Sequence, residues 1–204
     1  MKRSVSLAVA GFLFTGCASE SPAPTAPFSV PVIEQAAHAP AASPNANGGN
    51  FGTPLSGDEE VMPTGVVNTS SARGNAIFQL SADGQSLSYK LIVANIENVF
   101  QAHIHRGVAG TNGGIVVWLY PSTAPVAGPL GGGRVNGVIA EGTITAANLV
   151  NTLNGLPLSA LVELLSTGQA YVNVHTNDGV SPTNTGPGDY PGGEVRGQVE
   201  HRGH

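Results

Sequence analysis

Ala72-Arg-Gly-Asn-Ala-Ile-Phe-Gln-Leu80, then Ser81-Ala-Asp83-Gly84, then Ser86-Leu-Ser-Tyr-Lys-Leu-Ile-Val-Ala94 is the stretch that decides the fold. The first run alternates small or apolar residues (Ala72, Gly74, Ala76, Phe78, Leu80) with polar neighbours. The second places Leu87, Tyr89, Leu91 and Val93 on one face. A two-residue period is that of a half-buried strand. Asp83-Gly84 between the runs is a hairpin signal, because glycine adopts positive φ at little cost. The same texture continues outward. Val99 to Arg106 predicts a third strand, Gly107 to Gly114 a glycine-rich loop, and Ile115-Val-Val-Trp-Leu-Tyr120 a fourth strand. That fourth run is apolar on both faces and is expected at the centre of the fold. Val135 to Gly142, Tyr171 to Thr176 and Gly193 to Glu200 predict three more strands.

Helical spacing is confined to one region. Thr143 or Thr145 can cap a short turn over Ala146 to Asn151, and Leu158-Ser-Ala-Leu-Val-Glu-Leu-Leu165 follows, with a C-cap at Thr167-Gly168. Short strands at regular intervals around one helical crossover predict an all-β fold, a Greek-key β-sandwich. Composition agrees. In 204 residues, Gly 28 and Pro 15 interrupt the chain too often for a helical bundle. No internal repeat is present.

Four segments are expected. Residues 1–17 have the form of an export signal: Lys2 and Arg3, then a short apolar run from Ser4 to Phe14, too short to span a bilayer. Leu13-Phe14-Thr15-Gly16-Cys17 resembles a bacterial lipobox, although Phe14 stands where Leu, Val or Ile is commoner. The resemblance implies acylation of Cys17; a plain secretory signal cut nearby is the alternative. Ala18 follows the cysteine and no Asp, which implies the outer membrane in a Gram-negative cell. Residues 18–54 form a Pro/Ala/Asn-rich tether without periodicity, with His38 a solvated residue. Residues 55–200 form the domain, and residues 201–204 a polar tail.

Charge and absent motifs exclude several classes. Without Lys2 and Arg3 the mature chain has 8 − 2 = 6 basic residues against 13 acidic ones, leaving no electrostatic footprint for nucleic acid. One cysteine allows no disulfide within the chain. There is no Gly-x-Ser-x-Gly elbow, no His-Glu-x-x-His helix and no phosphate loop. Glu60, Glu141 and Glu163 are scattered, so hydrolase machinery is not visible and no catalytic residue is assigned.

The chemistry-bearing residues are His103 and His105 in Gln101-Ala-His-Ile-His-Arg106, and His175 in Val172-Asn-Val-His-Thr176. Residues i and i+2 of a strand share a face, so His103 and His105 point together, and Tyr171, Asn173 and His175 share another face. If the two strands are neighbours, three imidazoles converge on a candidate metal site for copper or zinc. The alternative is that these rings hold strands and the glycine loop together by hydrogen bonds. His201 and His204 are not enlisted. Glu194 and Arg196 alternate in the last strand, as a structural ion pair or, for Arg196, an anion guide.

Leu55-Ser-Gly-Asp-Glu-Glu-Val61, Leu87-Ser-Tyr-Lys-Leu91, Ala102-His-Ile-His-Arg-Gly-Val-Ala-Gly110, Glu141-Gly-Thr-Ile-Thr145, Ala170-Tyr-Val-Asn-Val-His-Thr176 and Pro191-Gly-Gly-Glu-Val-Arg-Gly-Gln198 run in one order along the domain. In this the chain resembles the CHRD domain, repeated in chordin and present singly in many bacterial secreted proteins. It departs in a longer Pro182 to Tyr190 loop and in Asp58-Glu59, where a more neutral pair is usual. The resemblance implies an extracytoplasmic β-sandwich and delivers no activity. A fainter similarity links the H-x-H strand, His175 and Arg196 to the copper half of Cu/Zn superoxide dismutase. The bridging histidine, zinc-loop ligands and cysteine pair of that enzyme are missing. Three classes therefore stand: a metal-binding lipoprotein, a non-catalytic adhesion or interaction module, and, least favoured, a copper-dependent redox enzyme.

Overall fold

The computed structural model describes residues 49–122, 128 and 130–203. The expectations for the export signal, for Cys17 and for most of the tether fall outside them. The described strands are β1 (Asn50–Ser56), β2 (Arg73–Leu80), β3 (Leu87–Glu97), β4 (Val99–Arg106), β5 (Ile115–Tyr120), β6 (Arg134–Ile144), β7 (Ala170–Thr176), β8 (Val195–Gln198) and β9 (Glu200–Arg202). One helix, α1 (Leu158–Ser166), lies in the crossover from β6 to β7. Every pairing is antiparallel.

The hydrogen-bonded order is β5-β4-β7-β8-β1-β2-β3-β6, with β9 pairing β1. The two ends of this order, β5 and β6, also approach each other, so the sheet curls into a nearly closed barrel or sandwich. Around that ring β7-β4-β5-β6 are spatial neighbours, which is the Greek-key arrangement. Its interior is filled by side chains such as Phe51, Phe78, Leu91, Ile104 and Val174, all essentially inaccessible. The β2–β3 hairpin turns where Asp83-Gly84 requires it. Gly84 has φ +69° and its N–H donates to the Ser81 carbonyl.

Helix α1 buries Leu158, Leu161, Val162, Leu164 and Leu165. It ends at Gly168, with φ +65°, where the Gln169 N–H returns to the Leu164 carbonyl. The preceding segment forms two 3-10 turns, Ala146–Asn148 and Asn151–Leu153.

Three features differ from the expectations. Strand β5 stands at an end of the hydrogen-bonded order, not its centre. Its outer edge is covered instead: the Val116 carbonyl accepts from Val150 N–H, that of Ile115 from Asn151 Nδ2, and that of Leu119 from Tyr89 Oη. Covering removes water as pairing would, so the apolar content is the same. The strand buried at every residue is β7, between β4 and β8. Second, β1 begins at Asn50, inside the expected tether. Gly52 and Pro54 weaken the strand pattern, but Phe51, Thr53 and Leu55 are buried against β2. Third, the expected final strand is two, and His201 and Arg202 of the expected tail belong to β9, where the His201 ring packs edge-on against Phe51.

Close approach of β8 to β1 makes Gly197 irreplaceable, because a Cβ there would collide with the Pro54 carbonyl and the Thr53 hydroxyl. Gly197→Ala is expected to cost about 1–3 kcal/mol or more, read as a lowered urea midpoint. Gly114→Ala, at a position open to space, is the control and should leave the midpoint unchanged.

Candidate metal centre

The site is assembled on the outer face of the sheet by strand register. Strands β4 and β7 pair with Gln101 opposite His175, His103 opposite Asn173 and His105 opposite Tyr171. Trp118 of β5 lies opposite His103, and Arg196 of β8 opposite Asn173. Trp118, His103, Asn173 and Arg196 therefore form one row across four strands. The intervening residues Ala102, Ile104, Val172 and Val174 point into the core and are fully buried.

This outer face is not left to solvent. His103, His105 and His175 are only 1%, 7% and 7% exposed. The Gly107–Gly114 loop covers one side and the Tyr190–Gly193 turn another. Each supplies a carbonyl to a ring: His105 Nδ1 lies 2.9 Å from the Gly113 oxygen, and His175 Nδ1 lies 2.9 Å from the Pro191 oxygen.

A carbonyl only accepts, so each of these Nδ1 atoms carries the proton. In the neutral ring the lone pair then sits on Nε2. His103 Nδ1 is 3.0 Å from His175 Nε2, and donates to it in the bare cluster. That leaves Nε2 of His103 as a buried lone pair without a partner, and Nε2 of His105 met only by the Asn173 side chain. The three rings offer ligand atoms that all lie within 4.8 Å of one another.

Burial keeps the rings neutral. It lowers the His103 pKa to about 2, with the neighbouring His175 and His105 adding to the effect. Burial also lowers His175 to about 4, against the opposing pull of the Pro191 carbonyl. His105 is lowered by burial too, and the Gly113 carbonyl resists the shift. Neutral imidazole is the form that ligates metal.

Several neighbours had no role in the sequence reading. Tyr171 stacks on His105, 4.8 Å between ring centroids and 7° from parallel, and its hydroxyl accepts the Gly113 N–H. Trp118 meets His103 edge-on at 4.3 Å. Glu60, from the segment before β2, reaches Asn173. A Cβ on Gly193 would collide with its carboxylate, and Gly193 has φ +135°. Burial pushes Glu60 up to about 7, partly offset by the Arg196 charge and the Asn173 amide. Its Oε1 and the Asn173 Oδ1 are also buried without partners. The shared face of Tyr171 and Asn173 with His175 was a readable signal. Nothing in the spacing connects Glu60 to them.

Glu194 and Arg196 do not pair with each other. The alternation that would align them needs a continuous strand from Gly193, but β8 starts at Val195, after the positive-φ turn. The Glu194 oxygens accept from the Ser70 and Thr176 hydroxyls and from Gly188 N–H. Arg196 donates to the Asn112 side chain at 3.2 Å and to the Val108 and Thr111 carbonyls at 3.3 and 2.8 Å. Its guanidinium carbon lies 3.4 Å from the Tyr171 ring centre, a cation–π contact. With 1% exposure it braces the covering loop and is not free to guide an anion.

A nearly closed antiparallel barrel with buried histidines beneath two loops defines the class of domain. Residues 51–199 match the CHRD domain family model, and the chain belongs to that family. No curated protein matches it.

The histidine shifts fix a pH dependence for the metal-free protein. These rings take up protons more readily unfolded than folded, so their contribution is present above about pH 6.5 and is lost as pH falls. Glu60 acts in the opposite sense: its contribution is complete below its unfolded pKa of 4.5 and is lost as pH rises through about 7. The two oppose each other between those values, and below 4.5 the histidines act alone. The urea midpoint is therefore expected to fall steeply below pH 4.5, and a His103/His105/His175 triple-glutamine variant to show a flatter profile.

Proposed function

We propose that this chain is an exported, lipid-anchored protein of the cell envelope whose CHRD domain holds one transition-metal ion between His103, His105 and His175. The observation that carries this reading is the convergence of three buried imidazoles whose ligand atoms all lie within 4.8 Å of one another, with the His103 Nε2 lone pair buried and unpartnered and His105 Nε2 met only by the Asn173 side chain. An unsatisfied buried polar atom costs about 1–3 kcal/mol, and a lone pair left so within a three-imidazole cluster calls for a ligand that accepts lone pairs. The Nδ1–H contacts to Gly113 and Pro191 carbonyls orient His105 and His175 in the way metal-bound histidines are usually held. Copper and zinc are the candidate metals.

The interaction-module reading makes the histidines structural. Against it, β4 and β7 are already joined along their length by backbone pairing and gain little from the rings. A dismutase-type enzyme is disfavoured because the Arg196 donors are engaged by the covering loop.

Metal content by mass spectrometry is expected to reach about one ion per chain in the wild type and none in the triple-alanine variant. At one hundred times the dissociation constant the ion should add about 2.7 kcal/mol to stability, seen as a rise in melting temperature. A protein that takes up no metal after reconstitution contradicts the reading.

Anchoring rests on the lipobox-like Leu13 to Cys17 and the short apolar run before it. Expressed in a bacterium, the chain is expected to partition into detergent and Cys17→Ser into the aqueous phase. Aqueous partitioning of both excludes the lipid anchor.

A further inference from the structure

We infer that the site is built for a monovalent ion, Cu(I), in preference to a divalent one. The inference rests on the three-histidine reading and adds the charge of the ion. All three donors are neutral imidazoles, and the ligand group contains no carboxylate or thiolate. Nothing bound directly to the ion compensates its charge.

The surrounding shell does not compensate it either. The Arg196 guanidinium is buried and fixed. Its hydrogen-bond acceptors are all neutral, and the described residues place no carboxylate within 4.0 Å of it. It stacks on Tyr171, which stacks on His105, so a permanent positive charge lies two aromatic layers from one ligand. Glu60, held by Asn173, is the opposing charge at the site. Two other carboxylates are buried in the neighbouring segment: Glu194, whose oxygens accept from Ser70, Thr176 and Gly188, and Asp189, whose Oδ2 accepts from the Thr185 N–H and hydroxyl; neither belongs to the ligand group. Glu60, raised to about 7, offsets the Arg196 charge only in part near neutrality, which leaves the ion's own charge to be borne by neutral donors.

The cost of burying charge rises as its square, so a divalent ion is penalised about four times as heavily as a monovalent one. Coordination number points the same way. Zn(II) held by three histidines takes a water as its fourth ligand. Here three donors are offered by rings that the loops leave 1–7% exposed. Cu(I) is satisfied by two or three donors.

The test is anaerobic competition on the mature chain, with a chromophoric Cu(I) chelator for Cu(I) and metal-indicator dyes for Cu(II) and Zn(II). Cu(II) is the stringent competitor, since it heads the divalent affinity order. The wild type is expected to hold Cu(I) at least about a hundredfold more tightly than Cu(II) or Zn(II). Measured at pH 8, above the raised Glu60 pKa, Glu60→Gln removes a negative charge with little change of shape and should widen that preference about tenfold. Arg196→Gln should narrow it by a similar factor. Circular dichroism melts check that each variant folds; if Arg196→Gln does not, Glu60→Gln still tests the sign. Tighter divalent binding, or a ratio unmoved by Glu60→Gln, overturns the inference while leaving the three-histidine reading in place. Failure to bind any of the three ions overturns both.

Discussion

The antiparallel pairing of β4 with β7 is the constraint on which the rest depends. With His103 opposite Asn173 and His105 opposite Tyr171, one register settles which side chains enter the core and which meet beneath the loops. A slip by one residue would turn the histidines inward and Ala102, Ile104, Val172 and Val174 outward. Those four residues are fully buried, so the hydrophobic core holds the polar site in register. The energetics of the interior and the geometry of the centre are two faces of the same strand pair.

A strand pair by itself would present its histidines to water. The loops change their chemistry. Gly113 and Pro191 supply carbonyls that select the tautomer, while exclusion of water keeps the rings neutral. Arg196 connects these layers. It leaves β8, crosses the Tyr171 ring and ends on the backbone of the loop that carries Gly113. The glycine-rich loop is thus tied to the barrel through a charge that serves positioning. Gly113 has a steric role as well, since a Cβ there would collide with the Arg106 carbonyl.

Much of the architecture was legible because alternation is a local property. Strands β4 and β5 have the bounds that the pattern gave, and the helix and the Asp83-Gly84 turn lie where capping and glycine chemistry put them. The placement of β5 was not legible. An apolar run looks the same whether its edge is covered by a neighbouring strand or by Val150, Asn151 and Tyr89. The histidines were legible as two faces on two strands, but their meeting required the β4–β7 adjacency, which no local pattern encodes. Glu60 was dismissed as isolated because its proximity to Asn173 comes from a loop that folds over the sheet from another part of the chain. The Glu194–Arg196 pairing failed for a local reason, the turn at Gly193 that interrupts the strand.

Anomalous diffraction from crystals of the metal-loaded domain, recorded at the absorption edge of the added ion, tests the central claim most directly. The account predicts one dominant peak among the rings of His103, His105 and His175, about 2.0–2.1 Å from a nitrogen of each. A protein that crystallises with the ion at His201, at another surface group or nowhere would show that the histidine cluster is part of the scaffold and not a metal centre.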